Sequence, residues 1–115
     1  KLSSNEKLFF SGPPQPVHDC RATNHSMTSV LLECQPGDDG GLDQLFNLLV
    51  YHSSSSQLHT NTTSASPLFM IKNLDAGSQF NLVIQSVNAK GKSDVVSLIA
   101  TTLSPPERHI TGIII

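Results

Sequence analysis

Short stretches in which apolar and polar residues alternate recur along this chain from Val17 to Ala100, and turn-forming residues interrupt them every ~8–15 positions. This pattern restricts the fold more than any other feature. Alternation with a period of two gives a strand one apolar face and one polar face, and it gives a helix no coherent face at all. The runs are Val17–Ala22, Val30–Cys34, Phe46–Val50, a weak one at Leu58, Phe69–Ile71, Phe80–Ile84 and Val96–Ala100. Between them lie Asn24–Met27, Pro36–Gly41, the serine run Ser53–Ser56, Leu74–Gly77 and Asn88–Gly91, all rich in turn residues. The runs total seven, their spacing is the sequence mark of a sandwich or barrel, and the expected fold is all-β and antiparallel in two sheets. Val30, Leu32, Phe46, Leu48, Phe69, Ile71, Leu74, Phe80, Leu82, Ile84 and Leu98 are the expected core.

A chain of 115 residues accommodates one such domain. Pro13, Pro14 and Pro16 set an extended lead-in and Pro105-Pro106 closes the run, so the domain is expected over 13–103. Residues 1–12 read as a linker or an unnatural leader. Residues 104–115 read as a linker, and Gly112-Ile113-Ile114-Ile115 as either a plain tail or the first residues of a membrane span. The chain as a whole reads as a piece of a longer protein. Its net charge is −2 and its basic residues are scattered, so there is no source for phosphate-backbone attraction and a nucleic-acid role is not expected.

The corner Leu74-x-x-Gly77-x-x-Phe80-x-Leu82-x-Ile84 resembles the turn and sixth strand of fibronectin type III domains. Val87-Asn88-x-x-Gly91-x-Ser93 is similar to the family's turn into its last strand, and Pro36-x-x-Asp39-Gly40-Gly41 suits its loop between the second and third strands. The resemblance implies a seven-stranded fibronectin type III sandwich. Two departures stand out. Phe80 occupies the place of the family's corner Tyr, whose hydroxyl bonds nearby backbone. Cys34 occupies the place of its core Trp, and this chain has no Trp.

A narrower resemblance rests on Cys20-x-x-x-Asn24-x-Ser26 and on Cys34 through Tyr51. It is to the membrane-proximal type III domain of Sidestep-type arthropod adhesion receptors and, more loosely, of nephrin-like receptors. It implies a single-pass surface protein at the extracellular face of the plasma membrane. It also implies Beaten-path-type partners engaged through neighbouring domains.

The two cysteines have three readings. A zinc site needs about four ligands in local pairs, and neither cysteine has such companions. A catalytic thiol needs an activating base, and His18 near Cys20 is a thin candidate. In a hairpin centred on Met27, Cys20 falls opposite Cys34 and Ala22 opposite Leu32, within disulfide range. That bridge is the expectation, and its plainer alternative is two reduced buried thiols.

Asn24-His25-Ser26 and Asn61-Thr62-Thr63 are acceptor patterns for N-glycosylation, each expected in a loop or at a strand end. Asp38, Asp39 and Asp43 lack the twelve-residue calcium-loop pattern and are read as loop solvation. His52 and His59 flank the serine run without a third ligand. No phosphate-cradling loop, nucleophile elbow or carboxylate pair is present, so no catalytic residue, metal or cofactor is expected.

Two functions remain. One is a structural spacer of ~35 Å, the length of strands of seven to ten residues. The other is direct ligand binding, either through loop residues Asp38, Asp39, Asn88, Lys90 and Lys92 or through an outward apolar face containing Leu31, Leu49 and Val83. A third class, the accessory domain of a carbohydrate-active enzyme, rests on analogy alone.

Overall fold

The computed structural model describes residues 10–106. The leader over residues 1–9 and the tail from 107 onward, with Gly112–Ile115, lie outside the described residues. Eight strands follow one another: β1 (His18–Thr23), β2 (Val30–Gln35), β3 (Leu45–His52), β4 (Leu58–Ser64), β5 (Leu68–Ile71), β6 (Gln79–Asn88), β7 (Gly91–Lys92) and β8 (Val96–Thr101). One sheet has the order β1-β2-β5; in the other, β4, β3 and β6 lie side by side and both β7 and β8 pair with β6. All pairings are antiparallel. The result is an immunoglobulin-like sandwich of the fibronectin type III kind.

Each layer buries the face its alternation dictates. Val30, Leu32 and Cys34 of β2 and Phe69 and Ile71 of β5 face Phe46, Leu48 and Val50 of β3 and Phe80, Leu82 and Ile84 of β6. Leu74, Val17 and Ala100 complete the core. Leu98 departs from expectation. It is only half-buried and packs against the core from the rim, because β8 is the outermost strand and its inward face is covered from one side only.

The eighth strand arises where the expected last strand breaks. β7 and β8 both pair with β6, but their registers differ by one residue, so Ser93–Val95 bulge between them. The Ser93 hydroxyl accepts the Ser86 N–H at 3.0 Å and donates to the Asp94 carbonyl at 2.8 Å. A side chain thus supplies the ladder bond that the bulge removes.

Two further bulges shape the molecule. On β1 one extra residue lies between His18 and Arg21, and Asp19 takes φ = 51° there. On β4 the register shifts beside His59, between Val50 and Tyr51 of its partner. The weak run at Leu58 is therefore a full edge strand with an irregular start.

The lower pole is closed by the corner between β5 and β6. Thr102 is buried. Its Oγ1 donates to the Asp75 carbonyl at 2.6 Å and accepts the Ser78 N–H at 3.0 Å. Gly77 at φ = 60° donates its N–H to the Leu103 carbonyl, and a Cβ there would meet the Ser104 hydroxyl at 3.0 Å. His25 joins the β1–β2 turn to the same pole. Its Nδ1 lies 2.8 Å from the Thr101 carbonyl and its Nε2 3.0 Å from the Ala22 carbonyl. Both partners only accept, so a neutral ring serves one of them and a doubly protonated ring serves both.

Candidate functional site

Phe80 shows what the missing corner hydroxyl is replaced by. It stands opposite His52 in the β3–β6 register, and the two ring centroids are 4.8 Å apart. His59, turned by the β4 bulge, meets both rings edge-on at 6.1 Å. His52 Nε2 lies 3.4 Å from an Asp75 carboxylate oxygen, and His59 Nε2 donates to the Asn73 carbonyl at 2.9 Å. The histidines thus cap the aromatic end of the core. Among the described residues no group of three or more His, Cys, Asp or Glu side chains is arranged to hold a metal ion.

Cys20 and Cys34 form a disulfide with Cα atoms 4.0 Å apart. The Ala22–Leu32 pairing matches the hairpin register read from the sequence. The β1 bulge falls immediately before Cys20, so the bridge sits where the ladder is interrupted.

The loop residues singled out for binding share one pole but do different work. Asp38 and Asp39 are exposed, yet their carboxylates fold back to accept the Gly40 and Gly41 N–H groups at 2.8 Å. Asn88 is buried and structural. Its Nδ2 donates to the Gly12 and Asp39 carbonyls at 2.8 Å, and its Oδ1 accepts the Lys90 and Gly91 N–H groups at 2.8 and 3.2 Å. One side chain ties the lead-in segment, the β2–β3 loop and the β6–β7 turn together. Gly40, at φ = 73°, has no room for a Cβ against the Gly12 carbonyl. Lys90 and Lys92 are exposed, and neither joins an ion pair among the described residues. Asn88 therefore drops out as a ligand contact.

Asn24 is exposed in the β1–β2 turn at φ = 51°. Asn61 is also exposed, but it lies in the middle of β4 and not in a loop or strand end. Both side chains present themselves to solvent.

The outward apolar residues split between the layers. On the smaller sheet Leu31 is half-buried beside exposed Leu68 and Met70, with Arg21 and Glu33 3.6 Å apart next to them. On the larger sheet Leu49 and Val83 are half-buried and face each other. Next to them Tyr51, Asn81, Val83, Ser97, Leu98 and Ile99 line a shallow groove of about 390 Å³. Composition alone did not reveal this groove; the register of three strands makes it.

These features define a two-layer antiparallel sandwich with the fold of fibronectin type III domains. No protein-family model matches the sequence. The fold is similar to the fibronectin type III domain of human collagen α-1(XX), with a TM-score of 0.72 at 18% identity, covering 86% of this chain and 94% of that one. It is also similar to domains d3–d4 of the rat CD45 extracellular region, with a TM-score of 0.71 at 17% identity over 80% of this chain. That match spans 51% of the CD45 fragment, so this chain corresponds to about half its length. The FN5 domain of Drosophila Lar matches with a TM-score of 0.61 at 16% identity, covering 80% of this chain and 99% of that one. At identities of 16–18% these likenesses establish the fold alone.

Proposed function

We propose that this chain is an extracellular, non-catalytic spacer that holds recognition domains of a cell-surface adhesion receptor at a fixed distance and orientation. The observation that carries the reading is the Cys20–Cys34 disulfide. Such bonds persist in oxidising compartments and are uncommon in the cytosol. The two solvent-facing sequons at Asn24 and Asn61 fit the same route. The tying of both poles by Asn88 and Thr102 suits a rigid spacer. The Sidestep-type resemblance extends this to a single-pass receptor, with a role in neuronal guidance and Beaten-path-type partners met by neighbouring domains.

The test is to secrete the chain from eukaryotic cells, alkylate it without reduction, and weigh it. A bridged protein takes up no alkyl groups. Two alkylated cysteines would overturn the extracellular reading.

A second reading, direct protein binding, is favoured by one feature, the groove beside Tyr51 and Ile99. Ile99→Ser combined with Tyr51→Ser would abolish capture of receptor-expressing cells if the groove is the contact, and would leave capture unchanged if the module only spaces.

A further inference from the structure

The strand registers set four outward residues in a straight row across the larger sheet. Asn61 on β4 pairs with Leu49 on β3, Leu49 with Val83 on β6, and Val83 with Ser97 on β8. The rows on either side differ in character. One is polar and runs Thr63, Asn47, Gln85. The other contains Tyr51, Asn81 and Ile99. With strands ~4.8 Å apart, Leu49 lies about 5 Å and Val83 about 10 Å from Asn61 in this row.

Asn61 is held at one end of this row in a particular way. Its Oδ1 accepts from Asn47 Nδ2 at 3.0 Å, and the same Nδ2 lies 3.1 Å from Thr63 Oγ1 and 3.2 Å from the Thr62 carbonyl. Asn47 thus bonds the side chains of the sequon's first and third residues and the carbonyl of its second. Asn61 Nδ2, the atom that takes a sugar, donates no hydrogen bond among the described residues. Attaching a glycan therefore leaves the Asn47 clamp intact. Among the described residues Asn24 has no comparable partner for its side chain, and it is exposed in a turn.

We propose that the N-glycan on Asn61 lies along this row as a built-in cover for the apolar outer face, with Asn47 as its positioning residue. This rests on the extracellular reading above. A pyranose has a C–H face and a rim of hydroxyls. The C–H face suits Leu49, Val83 and the Tyr51 ring, which together form an apolar strip that water solvates poorly. The hydroxyls suit Asn47 Oδ1 and Gln85 Oε1, which accept no other bond among the described residues. The occupant is tethered beside the strip, so it covers that strip without the concentration dependence of a separate partner.

The experiment uses glycoprotein secreted by eukaryotic cells, with site occupancy read first by glycopeptide mass. Folded protein is then treated with a glycan-releasing amidase. Release from Asn61 is expected to be roughly tenfold slower than from Asn24, the factor that ~1.4 kcal/mol of packing represents. Asn47→Ala, and independently Leu49→Thr, should bring the Asn61 rate up to that of Asn24, and unfolded protein should lose both glycans at one rate. After the glycan is trimmed to its first sugar, the methyl resonances of Leu49 and Val83 should differ from those of Asn61→Gln. Equal release from folded protein, or methyl resonances that match Asn61→Gln, overturns the cover. An empty Asn61 beside an occupied Asn24 also overturns it while sparing the extracellular reading. Two empty sequons with free thiols overturn that reading itself.

Discussion

β6 and β1 lie in opposite sheets and are held in place by opposite means. β6 buries every second residue along its ten: Phe80, Leu82, Ile84, Ser86 and Asn88. It also lies at the centre of its sheet, bonded to β3 on one side and to β7 and β8 on the other. β1 has no fully buried residue within its bounds, sits at an edge, and carries a bulge. Its fixed point is the covalent bond from Cys20 to the buried Cys34. A strand rich in apolar burial needs no cross-link, whereas a strand poor in it gains most of its security from one.

The largest effect should come from the strand that depends on burial. Phe80→Ala removes a fully buried ring packed against His52, and should cost about 3–5 kcal/mol. Equilibrium denaturation would show it as a collapse of the midpoint. A midpoint near that of the parent would show that β6 is not the keystone. Reduction of the disulfide should cost about 2–3 kcal/mol for a loop of this size. Amide exchange should then speed up in β1 while β6 keeps its protection. Uniform acceleration across both strands would erase the contrast.

Two polar positions on β6 sharpen the comparison further. Asn88→Ala abandons four hydrogen bonds at the upper pole and should cost about 2–3 kcal/mol, with proteolysis appearing around Gly12 and Gly40. Ser86→Ala should go the other way. The Ser86 hydroxyl is buried without a partner among the described residues, so removing it should stabilise by up to about 1 kcal/mol. A loss of stability at Ser86 would mean that its hydroxyl is bonded after all. Calorimetry on the two variants side by side gives both signs.

This contrast also explains what could be read from the sequence. The layers and the core were legible because alternation in β2, β3, β5 and β6 is regular and each inward residue is apolar. The hairpin register followed from Cys20 and Cys34 lying equidistant from Met27. The bulges were not legible. One inserted residue, at Asp19, at His59 or at Ser93, leaves the local alternation nearly unchanged yet redirects everything beyond it. His59 reaches Phe80 only because of such a shift. Asn88 looked like a loop residue because its partners, Gly12 and Asp39, are distant in sequence and meet it only in the folded pole. Asn61 lay in a run of Thr, Ser and Asn that lacks apolar alternation, because β4 is an edge strand with little to bury.

The disulfide has a consequence for length. Cys20 and Cys34 are 14 positions apart, and the segment between them stays closed when the chain is drawn out by its ends. Load applied at the lead-in can peel away the residues up to Asp19, and at Cys20 it passes through sulfur into β2, the middle strand of its sheet. At ~3.5 Å per residue, roughly 50 Å of contour is withheld from any unravelling of the module. A tethered molecule should therefore lengthen by that much less than its residue count implies, and a reducing agent should give the missing extension back.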